Sequence, residues 1–220
     1  MSGQAGAGRV GRPRTRGRAA GAGTAREEIL RAAAALFGEF GYAATSTRAI
    51  ADRVGVRQAS LYYHFAGKDE ILAELLEGSV RPTLDVVDAV RAVAGDPAAA
   101  LYALVVADVE TLLAGPPGIA ALYTAPEVRQ PRFDLFREHR QDLLAVYTEL
   151  AADLVPADHP VTPQVAGAAC MHLVEMVGAL PSRPDLGGQI ALCCLGVVGI
   201  TGEGADRAAR TAARVAQPAT

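Results

Sequence analysis

Between Thr45 and Phe65 the chain reads "TSTRAIADRVGVRQASLYYHF", which leaves room for two short helices and a stop between them. In "STRAIADRV", Thr45 or Ser46 is placed to cap free backbone N–H groups, and Ile50 and Val54 recur one turn apart on one side. Gly55 ends that helix, and the chain restarts at Arg57 or Gln58 for a helix that closes near Phe65. Two short helices joined by a glycine-containing turn form a helix-turn-helix, a motif used mostly to read DNA.

The segment before it supplies a third helix. "TAREEILRAAAALFGEFG" opens with a Thr24 to Glu27 capping box and stops at Gly41. Ile29, Ala33, Leu36, Phe37 and Phe40 fall on one face at helical spacing, which predicts a single buried stripe. Leu61 and Phe65, four apart, point toward the first two helices. That leaves Gln58, Ala59, Ser60, Tyr62, Tyr63 and His64 facing outward or to the flanks. Tyrosine hydroxyls and an imidazole N–H can donate to phosphate oxygens, Gln58 can pair with adenine, and small Ala59 and Ser60 let the helix approach base edges.

Charge points the same way once it is divided. The formal net charge is −3, but residues 1–70 hold eleven Lys and Arg against six Asp and Glu, a net +5, and residues 71–220 carry the balance of −8. A basic head on an acidic body suits a polyanion at the head only. Residues 1–23, rich in Gly, Ala and Arg, have almost nothing to bury and are expected to be a disordered basic arm that lies along phosphates or in a minor groove, or is simply a solvated tail. Their literal G-x-G-x-x-G at Gly6 to Gly11 lacks the preceding strand and following helix of a dinucleotide site.

The string Leu36-Phe37, Gly41-Tyr42, Thr45-Ser46, Ile50-Ala51, Gly55-Val56, Leu61-Tyr62-x-His64-Phe65 and Lys68 resembles the DNA-binding domain of the tetracycline-repressor (TetR) family, over Ile29 to Leu72. The resemblance implies that Thr47 and Arg48 contact phosphate or base, and that Arg57, Gln58, Ala59 and Ser60 start a recognition helix in the major groove. It further implies that Tyr62, Tyr63 and His64 anchor that helix to sugar and phosphate. Lys68, the only lysine in the chain, would clamp a phosphate at the start of a fourth helix, where the helix dipole also favours an anion.

Composition, half apolar with alanine- and leucine-rich segments between widely spaced glycines and prolines, predicts an all-α chain. The fold expected is an N-terminal three-helix helix-turn-helix domain (24–69) and a C-terminal helical ligand-binding and dimerisation domain (70–203), with a flexible tail over 204–220. A fourth helix from Asp69 to about Ser79 carries Ile71, Leu72, Leu75 and Leu76. Further helices are expected near Thr83 to Ala94, Pro97 to Ala114, Gly118 to Tyr123, Arg132 to Leu154, Thr162 to Leu180 and Asp185 to Ile200. The last two are apolar or small around most of their circumference, more than one protomer's core needs. The family resemblance implies that Thr162 to Ile200 pairs with its copy in a homodimer.

Tyr102, Tyr123, Phe133, Phe136, His139, Tyr147, Met171, His172, Glu175 and Met176 have the character of a cavity lining, apolar with a few polar handles. The three cysteines, Cys170, Cys193 and Cys194, fit neither a disulfide set nor a zinc spacing and read as buried thiols. The histidines lack metal-ligand spacing, no cofactor or catalytic motif is present, and no targeting or membrane-spanning run is found, so a soluble cytoplasmic protein that is not an enzyme is expected. The functional expectation is a DNA-binding regulator released from a near-palindromic operator by an unidentified small molecule. A regulator or architectural DNA-binding protein without an effector is the alternative.

Overall fold

The computed structural model describes residues 24–92, 95–181 and 183–215; residues 1–23, read above as a basic arm, lie outside them, as do 216–220. No strand occurs among the described residues. The chain runs α1 (Ala25–Phe40), α2 (Thr47–Val54), α3 (Gln58–His64), α4 (Lys68–Glu77), α5 (Arg81–Asp85), α6 (Val87–Arg91), α7 (Pro97–Ala114), α8 (Asp134–Ala152), α9 (Pro163–Glu175), α10 (Leu186–Val197) and α11 (Glu203–Val215). Single 3₁₀ turns occupy Ile119–Leu122, Pro126–Arg129, Pro131–Phe133 and Met176–Ala179.

In the head, the Thr24 hydroxyl accepts from the Glu27 N–H and the Glu27 carboxylate accepts from the Thr24 N–H, closing the capping box. Ile29, Ala33, Leu36 and Phe37 are buried, but Phe40 is 57% exposed, against expectation. Phe40 sits in the last residue of α1, where Gly41 turns the chain at φ +82°. Tyr42 takes the inner place instead, its ring 5.1 Å from that of Phe37. Ser46 caps α2 through the Ala49 N–H, and left-handed Gly55 closes it. Thr45 is buried and its hydroxyl donates toward the carbonyls of Leu36 and Gly41, which fixes the turn between α1 and α2.

α4 runs without interruption across the expected domain boundary at 69/70, and its stripe of Ile71, Leu72, Leu75 and Leu76 is buried as expected. The expected helix over 83–94 is divided into α5 and α6, and that over 118–123 is a 3₁₀ turn, because the prolines and glycines of 115–118 leave too few residues for a longer element.

α7 is the axis of the body: α5, α6, α8, α9, α10 and α11 all pack on it. It is long and apolar enough to cross a bilayer by length and composition, and half of it is buried inside this fold. The expected tail over 204–220 is, as far as residue 215, the helix α11; Ala205, Ala208 and Ala212 are buried, and α11 lies along α7. Ala205, Ala208 and Ala212 recur at helical spacing among charged residues, so the amphipathic pattern of α11 is present in the sequence. Cys170 and Cys194 are buried between α9 and α10, whereas Cys193 faces outward and corrects the expectation of three buried thiols.

Two positions give the core measurable signatures. Gly167 in α9 lies so close to α8 that a Cβ there would come within 2.8 Å of the Thr148 backbone. Gly167→Ala is therefore expected to lower stability by about 1–3 kcal/mol in thermal or denaturant unfolding. Asp108 is buried in α7, with the Tyr147 hydroxyl donating to Oδ2 at 2.9 Å and the Thr83 hydroxyl 3.1 Å from Oδ1. Burial pushes its carboxyl up to about 6, the two hydroxyls opposing the rise. Because the folded state holds that proton more tightly than the unfolded chain, the stabilisation is complete below the normal carboxyl range and disappears as pH rises through 6. Relative to Asp108→Asn, the wild-type chain is expected to lose about 2 kcal/mol between pH 4 and 7, read from denaturant unfolding at each pH.

Candidate nucleic-acid interface and body cavities

α3 has only seven residues, too few to persist alone. It is held by Leu61 and Phe65, both buried, and by Ile50 and Ala51 of α2. Arg26 of α1 completes the anchor. Its guanidinium pairs with Glu74 of α4, donates to the His64 carbonyl at 2.7 Å and lies 4.2 Å from the centre of the Phe65 ring. The hydrogen bond to Glu74 raises its pKa further, which keeps it charged.

With that side fixed, the opposite side of α3 faces solvent. Arg57, Gln58, Ala59 and Ser60 are exposed, Tyr62 is 51% exposed and Tyr63 86%. Thr47 at the start of α2 joins this surface: its hydroxyl accepts from Gln58 Nε2 at 3.0 Å and lies 3.2 Å from the Tyr62 hydroxyl. His64 is half-buried beside Tyr63, the rings meeting edge to face at 5.2 Å. Arg48 extends from α2, with Asp52 at 3.9 Å. Thr47, Gln58 and Tyr62 are thus joined in one surface cluster, Tyr63 and His64 lie against each other, and Arg48 and Arg57 are exposed on the same two helices, so that hydroxyl, amide, imidazole and guanidinium donors are gathered there, the chemistry that phosphate and base edges require.

Lys68 differs. Its ammonium donates to the carbonyls of Tyr42 at 3.0 Å, Ala43 at 3.3 Å and Thr45 at 3.0 Å, and lies 4.4 Å from the Tyr42 ring centre. All three of its protons are thus used within the chain. Rather than standing free to clamp a phosphate, Lys68 gathers the carbonyls of the turn between α1 and α2. The anion favoured by the start of α4 is also supplied internally: Asp69 and Glu70 occupy its first turn, and Glu70 Oε2 accepts from the Ala66 N–H at 2.6 Å.

Sequence reasoning missed a link between head and body. Asp69 accepts from the Tyr42 hydroxyl on one oxygen and pairs with Arg132 of the 131–133 turn on the other. Burial raises the Tyr42 phenol above its ordinary range, and Arg132 draws it back. The partners are 27 and 63 residues from Asp69, so no local pattern announces them.

The body residues expected to line one cavity are spread over several places. His172 and Glu175 border a cavity of about 700 Å³ between the end of α7, the 115–121 segment and the end of α9. Met176, also expected, borders it too. Tyr123 and Phe136 border a smaller one of about 370 Å³ with Arg129, Arg137 and Arg140. Tyr147 is fully buried, with its hydroxyl given to Asp108, and Tyr102 packs toward α11. His139 Nδ1 meets Glu77 Oε2 at 2.8 Å, and Tyr123 donates to Ser79 at 2.8 Å. Phe133 and Met171 are core. Tyr123, Phe136, His172, Glu175 and Met176 thus border cavities, whereas Tyr147 is taken up by its buried contact with Asp108. No group of three His, Cys, Asp or Glu side chains suited to a metal ion is found among the described residues.

Structural and displayed side chains separate experimentally. Lys68→Met is expected to lower stability by about 1–3 kcal/mol through the unmet carbonyls, while Tyr63→Ala stays within about 0.5 kcal/mol of wild type in the same unfolding experiment.

Comparison with known proteins places this geometry. The family described as "Bacterial regulatory proteins, tetR family" matches residues 29–75. The HTH-type transcriptional repressor KstR2 of Mycobacterium tuberculosis is 53% identical over 53 residues, 24% of this chain. That match spans only 26% of the curated relative's length. The crystal structure of Mycobacterium smegmatis AmtR superposes with a TM-score of 0.77 at 43% identity, covering 93% of this chain and 98% of that one. The structure of the ketosteroid transcriptional regulator KstR2 of Mycobacterium tuberculosis gives 0.66 at 25% identity, over 84% and 100% of the two chains. Since the likeness extends from the reading head through the helical body, the chain belongs to the tetR family of bacterial regulatory proteins.

Proposed function

We propose that this chain acts as a homodimeric DNA-binding repressor that a small molecule releases from a near-palindromic operator. The observation that carries the reading is the joined surface cluster of Thr47, Gln58 and Tyr62 on α2 and α3, with exposed Arg48, Arg57 and Tyr63 on the same two helices and the buried side of α3 anchoring it. The repressor role named for the matched KstR2 relative supports it.

Dimerisation is supported by apolar side chains left outside on the last helices. Val165 of α9, Met176 just after it and Leu192 of α10 are all exposed, next to small residues that permit close helix contact. Pairing this face with its copy removes it from water and sets two α3 helices at a fixed separation. Twofold-related half-sites then lie one DNA turn, about 34–36 Å, or a multiple apart. An effector acts by its differential affinity for arrangements with right and wrong separation.

Selection of bound fragments from random or genomic DNA by the purified protein tests the reading. A near-palindromic site is expected, with binding that weakens steeply as salt rises. Tyr63→Ala is expected to cost about ten-fold or more in operator affinity at fixed salt, leaving the sedimentation of the dimer unchanged. A monomer at working concentration, or no preference for any duplex over bulk competitor, removes the proposal.

A further inference from the structure

The start of α1 is fixed at the edge of the reading surface. Arg26, the second residue of α1, donates to the carbonyl of His64, the last residue of α3, and lies over the Phe65 ring. The chain therefore enters α1 about one arginine side chain away from the end of α3, where Tyr63 stands out into solvent. Thr24, which caps α1, is itself exposed. Whatever precedes Thr24 leaves from the flank of α3.

Residues 1–23 hold five arginines and no acid, and Glu27 is the first acidic residue of the chain. Four of the five alternate: in "RPRTRGR", Arg12, Arg14, Arg16 and Arg18 are separated by Pro13, Thr15 and Gly17. In extended backbone, side chains two apart point the same way at intervals of about 6.6–6.8 Å, so this spacing puts four guanidinium groups along one edge. That interval equals two steps of about 3.4 Å along one DNA strand. The residues between them are small, which suits a groove about 6 Å wide. Alanine and glycine alone fill 19–23, and Arg18 and Arg12 lie six and twelve residues before Thr24. Their reach is then up to about 20 and 40 Å, enough to pass from the flank of α3 into the neighbouring groove. We infer that Arg12, Arg14, Arg16 and Arg18 enter the minor groove beside the base pairs that α3 faces, at A·T-rich sequence, where the groove is narrow and its potential most negative. The inference rests on the reading of the head as a DNA-binding surface and adds a second, flanking contact with its own base preference.

Operator binding is compared for the full chain and for a variant combining Arg12→Ala, Arg14→Ala, Arg16→Ala and Arg18→Ala, over a salt series. The selected operator is placed between flanks of A·T, G·C or hypoxanthine·cytosine pairs, the last lacking the guanine N2 amino group in the minor groove. On A·T flanks the variant is expected to bind about ten-fold or more weakly at fixed salt. Its slope of log affinity against log salt is expected to be shallower by about three to four for each arm engaged. The full chain is expected to favour A·T and hypoxanthine·cytosine flanks over G·C flanks by about five-fold, and the variant to lose that preference. Equal binding of the full chain to all three flanks, with the slope still shallower in the variant, places the arginines on phosphates alone and overturns the groove assignment. Unchanged or tighter binding by the variant, as when the segment is only solvated or rests on the acidic body, overturns the contact altogether. Both outcomes leave the repressor reading standing, since α3 still binds. If neither protein prefers any duplex over bulk competitor, that reading falls, and the same three compositions in operator-free duplexes still decide the arginines by slope and preference.

Discussion

The burial of Leu61 and Phe65 is the interaction on which the reading surface depends. A seven-residue helix has no stability of its own, and complete burial of a large apolar side chain contributes about 1.5–3 kcal/mol. Two such anchors, with Arg26 bracketing Phe65 and the His64 carbonyl, convert a segment that would otherwise fluctuate into a rigid rib. Rigidity matters because Tyr62 and Tyr63 carry no internal support of comparable strength. Tyr63 in particular owes its position almost wholly to the backbone beneath it.

The body follows a different rule. Its centre is a polar network of Asp108, Tyr147, Thr83 and Thr111 surrounded by apolar helix faces. A buried network of this kind, once its members are satisfied, specifies one packing of α5, α7 and α8 more sharply than leucines alone do. Around it the helices approach as closely as their residues allow, and Gly167 against Thr148 marks the tightest limit between α8 and α9.

Much of the head was legible because its determinants are local. The capping box at Thr24 and Glu27, the Gly55 stop and the Leu61 to Phe65 repeat each depend on residues within one or two turns, and each stands as the sequence pattern implies. The misreadings share another cause. Phe40 has the right period but falls where the helix ends, so Tyr42 replaces it in the core. The family resemblance implies a phosphate contact for Lys68, whereas the partners its ammonium has here are carbonyls 23 to 26 residues earlier. Side-chain type alone does not tell Tyr147, which donates to a buried aspartate, from Tyr123, which borders open space. α11, expected as tail, has its alanines at helical spacing among charged residues, a pattern that local reading could have found.

Asp69 has a mechanical consequence. One carboxylate braces the phenol of Tyr42, under the ring of which α1 turns toward α2, and the guanidinium of Arg132, in a stretch that also borders α8. Of these two partners only Arg132 carries charge, so withdrawing it leaves the carboxylate with the neutral phenol alone. The start of α4 is therefore tied on one side to the turn that opens α2 and on the other to the 131–133 turn of the body, so that one carboxylate belongs to both parts of the chain.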